Sequence, residues 1–69
     1  MKVYLLWLDF EDRDEEVLLG VYSTPEKAMK RYHPKGSTWG KGEMEGVWVM
    51  EASHPLPPAR IDEAVIDDD

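Results

Sequence analysis

The two histidines of this 69-residue sequence are weighed as candidates for a metal site or for a Ser-His-Asp set. His33 and His54 each precede a proline and lie far apart along the chain. The sequence has no cysteine, which excludes disulfides and thiolate metal sites. No serine stands in the G-x-S-x-G context of a nucleophile elbow. We therefore predict two surface histidines, no catalytic residue, no metal site and no cofactor.

The acidic segment DFEDRDEE, residues 9–16, holds six carboxylates and one arginine. A calcium loop needs a glycine at its sixth position, a glutamate at its twelfth and flanking helices, which this segment lacks. Glycosidase chemistry needs two carboxylates held at a fixed distance across a pocket, and a turn does not fix that distance. The segment is therefore expected to be a solvated turn, and the protein is not expected to be an enzyme.

The glycine-rich segment GSTWGKG, residues 36–42, invites comparison with a phosphate-binding loop. That pattern needs four residues between its glycines and a Ser or Thr after the lysine. Here only three residues separate Gly36 from Gly40, and Gly42 follows Lys41. The segment is predicted to be part of a flexible loop over residues 34–46, with Trp39 as a candidate binding residue.

The net charge of −7 is unevenly distributed. Residues 9–16 and 62–69 are acidic, whereas residues 27–41 hold five bases and no acid. Because phosphate contacts supply most nucleic-acid affinity, the net charge makes nucleic acid an unlikely partner. Single-stranded nucleic-acid binding through residues 27–41 is kept as a weaker alternative. Conversely, the acidic clusters could imitate nucleic-acid phosphates and block a DNA- or RNA-binding protein.

The apolar patterns predict three strands, at residues 2–9, 16–23 and 46–52. Gly20, inside the second, suggests a bulge or a close approach of another element. A short helix follows, with Thr24 as its N-cap and Pro25 at its first position, and His33-Pro34 ends it.

The order β-β-α-β predicts a small α+β fold. The expected architecture is a three-stranded mixed sheet with one helix on one face, the second and third strands being parallel through a right-handed crossover. Residues 1–53 form the single domain, and residues 54–69 form an irregular, proline-rich acidic tail. Within the tail, ARIDEAVI could form one or two turns of helix.

Both faces of such a sheet carry large apolar side chains, beginning with the stretch VYLLWLDF at residues 3–10. One short helix covers one face, so something else must cover the other. Three alternatives remain open: the tail folding back with Leu56, Ile61 and Val65, a second copy, or another protein. Aromatic residues often anchor interfaces, and the candidate partner-binding residues are Tyr4, Trp7, Tyr22, Trp39, Trp48 and Met50.

The segment LLGVYSTPEKAMKRY resembles short, uncharacterised bacterial and phage proteins with a β-β-α-β layout, in which a G-V-Y-S-like strand leads into an E-K-A helix. The resemblance covers residues 1–32. It implies a small accessory protein and brings no catalytic residues.

The leading functional hypothesis is a small, non-enzymatic protein-interaction module, in one version a phage-encoded inhibitor or modulator of a host protein. A homodimer is one form it could take. No apolar run reaches the roughly 20 residues of a membrane span, and no signal peptide is recognisable, so a cytoplasmic protein is expected.

Overall fold

The computed structural model describes residues 1–53 and 55–67. Five strands are present: β1 (Lys2–Phe10), β2 (Glu15–Tyr22), β3 (Thr38–Lys41), β4 (Val47–Glu51) and β5 (Ala59–Val65). A 3-10 turn, Glu11–Arg13, lies between β1 and β2, and the helix α1 (Pro25–Arg31) precedes β3. The strands form one sheet in the order β2-β1-β5-β4-β3, and every neighbouring pair is antiparallel.

The expected three-stranded mixed α+β sheet is therefore wrong, because the fold is mostly β and fully antiparallel. Two segments that the sequence predicts to be irregular are strands: β3 lies within the predicted loop, and β5 lies within the predicted tail. β5 is inserted between β1 and β4, where it pairs with both. The expected parallel pairing of β2 with the strand at residues 46–52 is absent, since β1 and β5 separate them.

The apolar character of β1 follows from its place inside the sheet. On one face, Tyr4, Leu6 and Leu8 belong to the core or pack against it, and Leu6 is fully buried. The expected irregularity near Gly20 is confirmed. Leu6 pairs with Gly20 and Trp7 with Leu18, so the intervening Leu19 is the extra residue of a bulge.

The predicted helix start is also confirmed. The Oγ1 atom of Thr24 accepts a hydrogen bond from the backbone N–H of Lys27 at 3.2 Å, and Pro25 is the first helical residue. The helix connects β2 and β3, which lie at opposite edges of the sheet. It therefore runs across one face, where it contacts β2, β1 and β5 and buries Ala28 completely.

The core lies between α1 and this face of the sheet. Its buried members come from four elements and are Leu6, Ala28, Met50, Ala59 and Ile61. The end of the helix is tied down by Tyr32. Its hydroxyl donates to the carbonyl of Pro57 at 2.7 Å, and its own carbonyl accepts from Trp39 Nε1 at 3.1 Å. These bonds link α1, β3 and the proline-rich segment before β5.

In the part of the chain that the structure describes, no helix has the length and apolar character needed to cross a membrane.

Candidate protein-interaction face

The sheet has one face under α1 and a second face, here called the open face, that carries no second layer in residues 1–53 and 55–67. Side chains alternate between faces along a strand. The neighbours of the core residues therefore point to the open face. Its apolar members are Val3, Leu5, Trp7, Leu18, Val21, Val47 and Val49.

Several of these apolar side chains are well exposed. Leu18, Val21 and Val49 keep 45, 51 and 41% of their surface in contact with solvent. Val3, Leu5 and Trp7 lie on the more interior strand β1 and are half-buried by their neighbours. The open face is thus exposed to solvent and has an apolar centre. Many protein–protein interfaces likewise have an apolar centre and a polar rim.

Arg60 organises the charged part of the open face. It lies opposite Trp7 in the β1–β5 ladder, and its Cζ atom is 5.9 Å from the centroid of that indole. Its Nη2 atom is 2.9 Å from Glu16 Oε2, and its Nε donates to Asp62 Oδ2 at 3.1 Å. One guanidinium therefore joins side chains of three neighbouring strands.

Carboxylates exceed cations on this face. A cleft of about 340 Å³ beside Trp7 and Arg60 is lined by Val49 and by four acids: Asp9, Glu11, Glu16 and Glu51. Arg60 is the only base among the lining residues. The open face therefore presents apolar surface with a net negative rim.

The structure does not bring the six predicted partner-binding residues together. Met50 is 2% exposed and belongs to the core. Four aromatic residues are partly buried against the core on the helix side: Tyr4, Tyr22, Trp39 and Trp48. Tyr4 and Trp48 meet edge to face, with centroids 5.8 Å apart. Trp7 is the one member of the set on the open face, and partner contact stays a prediction.

The sequence reasoning missed other residues of the open face, notably Leu18, Val21, Val49 and Arg60. Strand alternation had separated the two faces correctly in β1 and β4. It could not tell which face the helix covers. The sequence does not point to Arg60, because it predicts residues 54–69 to be an irregular tail.

The basic segment at residues 27–41 contributes to a separate surface. Lys30 and His33 line a shallow groove of about 290 Å³ together with Glu26, Met29 and Trp39. The groove lies on the helix side and combines an indole with a lysine. His33 is exposed, and His54 lies outside the described residues.

No group of three or more His, Cys, Asp or Glu side chains in residues 1–53 and 55–67 is arranged to hold a metal ion.

A family model described as a domain of unknown function, DUF7336, matches residues 1–51. The match ends at the last residue of β4, so β5 lies beyond it. It agrees with the expectation of a family of uncharacterised small proteins, whereas the G-V-Y-S motif itself is not confirmed. No curated protein and no solved structure shows significant similarity to the chain.

Proposed function

The chain belongs to the DUF7336 family, and we propose that it is a non-enzymatic module that binds another protein through the open face of its sheet. The observation that carries this proposal is the exposure of Leu18, Val21 and Val49 around the half-buried Trp7. Tryptophan and arginine are enriched among the residues that dominate binding energies, and here Arg60 lies over Trp7.

The energetic argument is one of buried surface. Fully burying a Leu or Val side chain stabilises by about 1.5–3 kcal/mol relative to leaving it exposed. Three side chains that are about half exposed therefore leave roughly 3 kcal/mol that a partner could gain on covering them. A partner with apolar side chains and a few cations would also match the acidic rim of the cleft beside Trp7.

The more specific version, a phage-encoded inhibitor or modulator of a host protein acting in the cytoplasm, is part of the same proposal. It is supported by the small size, the resemblance of residues 1–32 and the net charge of −7.

Two alternatives have their own supporting observations. The four acids around the cleft support a nucleic-acid mimic that occupies a basic groove on another protein. The groove containing Lys30, His33 and Trp39 supports weak single-stranded nucleic-acid binding. Salt separates the first alternative from an apolar interface, because only binding by a mimic weakens steeply as salt rises. An oligonucleotide titration at low salt tests the second.

The test of the main proposal compares two substitutions of the same kind. Val49→Glu places a charge on the open face, and Met44→Glu places one on the β3–β4 connection, where Met44 is 73% exposed. Each tagged variant is used to capture proteins from a lysate of the cells in which the protein is produced. We expect the same protein to be captured by the wild type and by Met44→Glu, and lost with Val49→Glu. Equal capture by all three, or capture of nothing by the wild type, would overturn the proposal.

A further inference from the structure

The two edges of the sheet differ in how they are protected against pairing. β3 has four residues, which include Gly40 and Lys41, and a short edge with a lysine is a poor template for another strand. β2 has eight residues and, within residues 1–53 and 55–67, pairs only with β1, so no described strand lies along its outer edge. Its exposed apolar side chains are Val17, Leu18 and Val21, at 43, 45 and 51%.

The strand β2 also has an acidic end and a basic end. It begins at Glu15 and Glu16, directly after Asp12 and Asp14. It ends just before Ser23, whose Oγ accepts a hydrogen bond from the Nζ of Lys27 at 3.0 Å. The acidic block of the sequence and Lys27, the first residue of the basic block, therefore lie at opposite ends of this edge strand.

We propose that β2 pairs antiparallel with the β2 strand of a second copy, across a twofold axis near Leu19. Antiparallel pairing places the acidic start of each strand beside the basic end of the other. Glu15 of each copy then lies near Ser23 and Lys27 of the second copy. The contact between Glu15 of one copy and Lys27 of the other occurs twice, as every contact does in a twofold-symmetric interface.

The bulge at Leu19 fits the position of the axis. A bulge interrupts pairing along an edge strand, so pairing with a second copy has to occur on either side of Leu19. Here the bulge divides β2 into a segment at residues 15–18 and one at residues 20–22, and a central axis pairs the first segment of one copy with the second of the other. Glu15 of each copy then lies near Lys27 of the other copy, and the two Glu15 side chains are kept apart.

The charge distribution disfavours the other self-association, in which two open faces meet. Four carboxylates and one guanidinium point to that face: Asp9, Glu16, Glu51, Asp62 and Arg60. Stacking two such faces would bring like charges together. Pairing through β2 leaves both open faces free and makes them continuous, so the dimer and the proposed partner surface are compatible and independent.

The test is sedimentation equilibrium at low salt over a range of protein concentrations. We expect a species of twice the 8.0 kDa chain mass to form as concentration rises. Glu15→Lys and Lys27→Glu should each weaken dimerisation about three- to tenfold, because each loses two ion pairs and creates like-charge contacts. The double variant restores complementarity and should dimerise within about twofold of the wild type.

The matched control is Glu43→Lys, which makes the same charge change in the β3–β4 connection and should leave dimerisation unchanged. Circular dichroism confirms that each variant is folded. A wild type that stays monomeric, or a dimer indifferent to both single substitutions, overturns the proposal. A dimer disrupted by Val49→Glu instead overturns it in favour of face-to-face association. If the wild type is monomeric while capture by the open face persists, the dimer fails and the proposed function stands.

Discussion

The guanidinium of Arg60 lies over the indole of Trp7, with its Cζ atom 5.9 Å from the ring centroid. The two residues are direct neighbours across the β1–β5 ladder, so the contact exists only because residues 59–65 form an interior strand. Arg60 also joins Glu16 on β2 and Asp62 on its own strand.

Replacing Arg60 tests this arrangement. The Arg60 side chain is 39% exposed, so its ion pairs are screened by solvent. With the cation–π contact included, we expect Arg60→Ala to lower the free energy of unfolding by about 0.5–1.5 kcal/mol. Arg60→Lys should lower the free energy of unfolding by less, since lysine keeps the positive charge although it lacks the planar guanidinium. Urea denaturation measures both, and an alanine variant as stable as the wild type would refute the bridging role.

The bond from Tyr32 to Pro57 gives a second prediction. Tyr32→Phe removes a hydroxyl that donates at 2.7 Å to a carbonyl in the segment before β5. We expect a loss of about 1 kcal/mol in unfolding free energy. Tyr22→Phe is the matched control, because none of the side-chain hydrogen bonds within residues 1–53 and 55–67 involves the Tyr22 hydroxyl. Equal effects of the two substitutions in chemical denaturation would contradict the prediction.

The same tyrosine should make stability depend on alkaline pH. Burial raises the pKa of Tyr32 above its ordinary value. Since the folded pKa is the higher one, this contribution to stability is fully present below the unfolded pKa of about 10 and is lost as pH rises through the folded pKa. An absorbance titration of tyrosinate should show a late step, above the pKa of about 10 of an unperturbed tyrosine. In Tyr32→Phe that late step should be missing.

Gly46 is predicted to be intolerant of a side chain. Its φ is +81°, and an added Cβ would lie 2.8 Å from Glu63 Oε2, in the carboxylate that pairs with Lys2. Gly46→Ala should therefore destabilise by about 1–2 kcal/mol. Gly36 has a similar φ of +86°, but an added Cβ would meet no atom within 4 Å. Gly36→Ala therefore measures the cost of the positive φ alone. Gly40→Ala has neither problem and should change thermal stability little. An order other than Gly46, Gly36, Gly40 would contradict this account.

Removing the C-terminal segment should unfold the protein. Deleting residues 59–69 removes β5, and with it Ile61 and Ala59 from the core. The free energy of folding lost with these core residues exceeds the roughly 3–5 kcal/mol of net stability that a core of this size supplies. Deleting residues 68–69 alone leaves β5 intact and serves as the control. Far-ultraviolet circular dichroism should show a disordered chain for the long deletion, and a folded, cooperative truncation would contradict the interior position of β5.

The sequence predicted the elements whose signals are local. Thr24-Pro25 begins the helix by capping chemistry, and β1, β2 and β4 are rich in β-branched and aromatic residues. It failed for β5. Ala59, Arg60, Ile61 and Asp62 alternate apolar and polar residues, but alanine, arginine and glutamate favour helices, and three prolines precede the segment. Pairing with β1 and β4 overrides the helical preference of these residues. No local sequence pattern reveals that pairing.

The six residues named for partner binding do not share one surface, and their contact with a partner stays a prediction. The expectation of a second apolar face agrees with the exposure of Leu18, Val21 and Val49. Most of the aromatic residues named for partner binding lie on the helix side, because the face that buries Ala28 is chosen by tertiary packing. Alternation along a strand defines two sets of side chains and leaves that choice open.

The most direct test of the proposed partner surface is a methyl-resolved NMR titration of the isotope-labelled protein with the protein that it captures. The account predicts shifts at Leu18, Val21 and Val49, which are exposed on the open face, and little change at Ala28, which is buried under the helix. Shifts confined to the residues around α1, with Leu18, Val21 and Val49 unchanged at saturation, would contradict it.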